Sequence, residues 1–137
     1  MHAERNLSLT RLEDSSFRIS DRSPDIRGRK LIDSGSYEIG DVKSLVVDEQ
    51  AGEVRFLEVR SGGFLGLGGD VHLVPVDAVT SVGEEAVQVD VTRERVLDAP
   101  AYEPEVDDPE AYYSDVYVHY GYRPYWAGGR SSQPSRN

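Results

Sequence analysis

The chain has 137 residues, with 25 Asp and Glu against 15 Lys and Arg, and its formal charge of −10 is spread along its length. Such a field repels phosphate backbones and anionic headgroups, which sets aside nucleic acid and direct membrane insertion. There is no cysteine, so disulfides, thiolate metal sites and cysteine nucleophiles are excluded and a cytoplasmic location is expected.

Residues 1–25 mix single apolar residues with charges and end at Ser23-Pro24-Asp25. They follow neither a helical nor a strand period and read as an arm that touches the domain through Leu12, Phe17 and Ile19. Short β-like runs separated by turn residues begin at Lys30–Asp33 and continue with Glu38–Asp48. Asp48-Glu49-Gln50-Ala51-Gly52 then makes a polar link whose glycine supplies positive φ, and Glu53–Arg60 is the return strand of a hairpin.

The glycine-rich stretch Gly62–Gly69 leads into Asp70-Val71-His72 and lacks the Lys-Ser/Thr of a phosphate loop. It reads as a wide turn with Phe64, Leu65 and Leu67 either folded over the domain's own mouth or offered to a partner. Asp70–Val76 contains Pro75, which marks an edge or a strand end. Ala78–Val82 and Glu85–Val91 flank the turn Gly83-Glu84. Val54 and Phe56, like Val87 and Val89, occupy one phase of their strands, and all four are expected in the core.

Thr92 caps a helical turn that runs to Asp98, and an acidic linker follows. Asp108 at the N-cap, Pro109 at the first helical position and Gly121 beyond the end specify a C-terminal helix. Tyr113, Val116, Tyr117 and Tyr120 form one stripe along it, and Tyr125 and Trp126 follow. The expected organisation is an arm (1–25), a mainly β domain (26–104), a helical aromatic-rich extension (105–127) and a disordered tail (128–137). Because the strands end at Val91, the domain is expected to fold without the extension.

Several pieces in order resemble the PRC-barrel family, named for the cytoplasmic domain of the photosynthetic reaction centre H subunit. They are Asp25-Ile26-Arg27-Gly28, Gly40-Asp41-Val42 with Leu45-Val46-Val47-Asp48, Gly52-Glu53-Val54-Arg55-Phe56-Leu57, the glycine-rich stretch, Val74-Pro75 with Asp77-Ala78-Val79, and Thr92-Arg93-Glu94-Arg95-Val96 with Ala99-Pro100. The resemblance implies a small, strongly bent antiparallel β-barrel with a short helical turn and a C-terminal helix, similar to stand-alone prokaryotic members. Settings of the family include the reaction-centre subunit and a ribosome-maturation factor, and they share docking to macromolecules with no common reaction. The chain shows neither the anchor of the first nor the extra barrel of the second, so a reaction-centre-associated role rests on resemblance alone.

No catalytic, metal or cofactor-binding residue emerges. His2, His72 and His119 lack ligand spacing and read as solvent-facing, and no Gly-x-Ser-x-Gly elbow is present. Glu84-Glu85 reads as a turn and Asp107-Asp108 as a helix start. Glu103, Glu105, Asp107 and Asp108 lack the loop pattern of an EF-hand. The aromatic extension needs cover from its own barrel, from a second copy or from another protein. The expected function is a non-enzymatic protein–protein interaction or assembly module, with Phe64, Leu65, Leu67, Tyr113, Tyr117, Tyr120, Tyr125 and Trp126 as candidate partner contacts. The alternative is a small-molecule-binding or sensory domain that uses the barrel mouth, which requires an enclosed apolar pocket.

Overall fold

A computed structural model describes residues 9–12, 25–61, 70–100 and 109–127. Seven strands form one sheet: β1 (Leu9–Arg11), β2 (Lys30–Ile32), β3 (Glu38–Asp48), β4 (Glu53–Ser61), β5 (Asp70–Pro75), β6 (Val79–Val82) and β7 (Ala86–Val89). A 3-10 turn, Val76–Ala78, joins β5 to β6, and the helices are α1 (Arg93–Leu97) and α2 (Pro109–Tyr120). Among the described residues no helix is long and apolar enough to cross a membrane.

The strand order is β5-β4-β3-β2-β7-β6, and β1 pairs separately with the end of β3 at Val46–Asp48. The neighbours are antiparallel except β2 and β7, which run parallel with Leu31 opposite Val87. The sheet is strongly bent and barrel-like but does not close, so β5 and β6 are its two ends. Irregularities supply the bend: the β3–β4 ladder passes over Lys43 between Val42 and Ser44, and over Arg55 where Val46 faces Phe56 and Val47 faces Val54. At the far end of this pair Gly40 lies against β4, where a Cβ would stand 2.1 Å from the Arg60 carbonyl oxygen.

The β3–β4 link forms as its residues dictate. Gly52 has φ 69°, its N–H donates to the Asp48 carbonyl oxygen at 2.8 Å, and the Asp48 carboxylate accepts from the N–H groups of Gln50 and Ala51. At the other end of the chain Gly121 has φ 84°, and its N–H donates to the Val118 carbonyl while the Tyr122 N–H donates to that of Tyr117. That pair of bonds is a Schellman motif and stops α2.

Phe56, Val87 and Val89 are fully buried as expected, but Val54 is only half-buried. Leu57 and Val59, in the opposite phase of β4, are fully buried too. The strand therefore has no solvated face. Its Phe56 side is covered by α2, and its Leu57 side, shared with Val74 and His72 opposite it on β5, faces the interior of the bend.

The arm is more ordered locally than its pattern suggests: β1 pairs with β3, and Leu12 is buried as expected, while Phe17 and Ile19 lie outside the described residues. Arg11 reaches across to Glu58, which is 1% exposed, and donates from Nε at 3.1 Å and from Nη2 at 2.8 Å. Lys43 donates to the same carboxylate at 3.2 Å. Arg11 and Lys43 thus both hydrogen-bond to one enclosed carboxylate.

Candidate partner-binding surface

The aromatic stripe of α2 turns inward. Tyr113, Val116, Tyr117 and Tyr120 are buried, with the Tyr113 ring 5.3 Å and the Tyr117 ring 4.9 Å from that of Phe56. Tyr125 and Trp126 pack edge-on to Tyr117, and the Arg55 guanidinium lies 4.0 Å above the Tyr125 ring. The three helix tyrosines expected as partner contacts are thus buried, two of them against Phe56 of their own sheet. Their helical spacing marked an apolar face correctly, but an apolar face does not specify which surface covers it. Tyr125 and Trp126 stay half-buried, while Phe64, Leu65, Leu67 and the Asp108 cap lie outside the described residues.

Burial also marks the tyrosine hydroxyls. Those of Tyr117 and Tyr120 have no hydrogen-bond partner among the described residues, and burial pushes both well above the ordinary value for tyrosine. Tyr125 is pushed up to about 12 by burial and then by the Asp48 carboxylate, and Tyr122 to about 12 by burial and then by Asp90.

Where α1 meets the end of α2, Arg95 donates from Nη1 to the His119 carbonyl oxygen at 3.3 Å, and His119 Nε2 donates to the Arg95 carbonyl oxygen at 2.6 Å. Beside this clamp lies an open cleft of about 390 Å³ lined by Asp90, Thr92, Arg95, Tyr120 and Tyr122. The Tyr122 hydroxyl donates to Asp90 at 3.1 Å, the Thr92 hydroxyl accepts from the Arg95 N–H, and Arg95 is held by α2. The cleft is open, and both polar and aromatic side chains line it. Among the described residues no group of three or more His, Asp or Glu side chains is placed to hold a metal.

His72 corrects a further expectation. It is 4% exposed in β5, and neither ring nitrogen has a partner among the described residues. Its position opposite Val59 turns it to the interior, which a strand read in isolation does not reveal. Sequence reasoning also passed over Asp33, which is buried at the end of β2. Its Oδ1 accepts from the N–H groups of Gly35 and Tyr37 at 2.8 Å, and its Oδ2 from that of Arg93 at 2.9 Å. Burial acts to raise its pKa, but the three donors outweigh it and the net shift is downward. One carboxylate thereby ties the β2–β3 turn to the start of α1.

Among the described residues one edge left open is the end of the sheet at β6. Val79 is half-buried, and Thr80, Ser81 and Val82 are exposed, Val82 at 47%. β7 occupies one side of the strand, and among the described residues nothing pairs with the other. β5, at the opposite end, is covered by α2 and largely buried. Exposed acids surround β6: Asp77 precedes it and Glu84 and Glu85 follow it. From Ser61 to Thr92 the chain has five acids and no Lys or Arg. The cation that reaches this turn is Arg29, whose Nη1 donates to the Gly83 carbonyl oxygen at 2.6 Å.

The PRC-barrel domain family matches residues 19–96, more than half of the chain. No curated protein matches the chain.

Proposed function

The chain belongs to the PRC-barrel family, and from that premise we propose that it is a non-enzymatic protein–protein interaction module whose contact surface is the outer side of β6. The edge, unpaired among the described residues, carries this reading. Val79, Thr80 and Val82 are β-branched, and the strand holds no proline and no charged residue, the usual devices that keep an exposed edge from pairing. An edge of that kind recruits an extended segment through main-chain hydrogen bonds. The aromatic extension has a different part in this reading: it covers the β4–β5 side and so directs docking to the far end of the sheet.

A photo-reactive amino acid placed at position 82 in the source cell should form discrete protein adducts, and the same residue at position 115, on the outer face of α2, should not. Adducts confined to position 115, or none at either, would contradict the assignment.

A further inference from the structure

The chemistry of the partner can be taken further from charge and edge geometry together, an inference that rests on the reading of β6 as the contact surface. A strand of four residues spans about 13 Å. Asp77 stands just before it and Glu84 and Glu85 just after it, all exposed. The Arg29 guanidinium is already engaged with the Gly83 carbonyl, and Lys30 lies 3.6 Å from Glu38 on the next turn of the sheet. An added strand therefore runs over a neutral, β-branched edge with acids at both ends.

We propose that the β6 edge receives an extended segment of a protein partner that carries Lys or Arg at both ends of the paired stretch. Its main chain would continue the sheet beyond β6, and its cations would meet Asp77 at one end and Glu84 and Glu85 at the other. Charge sign also argues against a second copy as the occupant. Antiparallel pairing of β6 with itself sets Glu84 and Glu85 of each protomer toward Asp77 of the other, and like charges across an interface oppose association.

The test uses the full chain and three blocked nine-residue peptides, with alternating valine and lysine, valine and glutamate, or proline and lysine. Binding is followed by amide chemical shifts and amide hydrogen exchange at low and at physiological ionic strength. The valine–lysine peptide should bind saturably, slow exchange within residues 79–82 and weaken as salt rises. The valine–glutamate peptide should not bind, and the proline–lysine peptide, equally charged but without the N–H groups of a strand, should not protect the edge. Glu84→Lys together with Glu85→Lys, both on exposed turn positions, should weaken valine–lysine binding about tenfold.

Equal binding of the proline–lysine peptide would overturn strand addition, and equal binding of the valine–glutamate peptide would overturn the charge assignment. Shifts that map away from β6 would overturn both. If the valine–lysine peptide fails while position 82 still forms adducts in cells, the partner's chemistry is wrong and the contact surface stands. If both fail, the contact surface is wrong as well.

Discussion

Phe56 lies 4.9 Å from Tyr117, ring centre to ring centre, and both side chains are fully buried. The contact joins the centre of the sheet to a helix more than fifty residues further along the chain, and it makes α2 part of the core. Phe56→Ala should cost about 3 to 5 kcal/mol in chemical denaturation. Truncation after Pro104 removes α2, uncovers Phe56 and should abolish cooperative unfolding or lower the midpoint sharply. The expectation drawn from the strands alone is the opposite, that the barrel folds without residues 105–137. A truncated chain that unfolds cooperatively near the full-length midpoint would show that α2 is only an attachment.

Tyr117 separates packing from hydrogen bonding. Its hydroxyl is buried without a partner among the described residues, so Tyr117→Phe removes an uncompensated polar group and keeps the ring. Equilibrium unfolding of that variant should show unchanged or slightly increased stability, whereas Tyr117→Ala should lose about 3 to 5 kcal/mol. A large loss in the phenylalanine variant would mean that the hydroxyl has a partner.

The raised tyrosines give a pH dependence with a definite sign. In the unfolded chain tyrosine ionises near 10.0, and in the folded chain Tyr122 and Tyr125 hold their protons up to about 12, with Tyr117 and Tyr120 higher still. Above pH 10 the folded state thus binds more protons than the unfolded one. Their contribution is fully present below that pH and is lost as pH rises through the folded values. In a phenolate absorbance titration, part of the 8 tyrosines should ionise early and the rest only with alkaline unfolding. Eight tyrosines ionising together near pH 10 with the fold intact would contradict the packing of α2.

Asp33 should prove a principal polar tie. Asp33→Ala removes the buried acceptor that three N–H donors share and should cost about 1.5 to 3 kcal/mol. Because its folded pKa is lowered, its contribution is present above the ordinary carboxylate value and disappears as pH falls through the folded one. The stability difference between the native chain and Asp33→Asn should therefore shrink in acid. A difference that stays constant with pH would place the tie elsewhere.

What the sequence made legible was local. The Asp48–Gly52 link, the Gly121 stop and the strand runs each depend on residues a few positions apart, and each is present. The parallel pairing of β2 with β7 and the three-residue β1 depend on distant partners, and three residues are too few to show a period. Cover from two sides is equally invisible in one strand. Leu57 beside Phe56, and His72 beside Leu73, became core positions because α2 covers one face while the bend encloses the other. The candidate site was the hardest to read. The helical spacing of the α2 stripe showed an apolar face, but only the tertiary fold shows that its own barrel takes that face, with the outer side of β6 unpaired among the described residues.

Two exposed valines allow the most direct test of the central claim, since Val82 lies on the open edge and Val118, 67% exposed, on the outer face of α2. Val82→Arg places a charge on the edge without touching the core, and Val118→Arg does the same on the helix. The measurement is the dissociation constant of each variant for the protein that position 82 captures in the source cell. The account predicts a loss of tenfold or more for Val82→Arg and native affinity for Val118→Arg. Native affinity in the Val82 variant with loss in the Val118 variant would place the contact on α2 and contradict it.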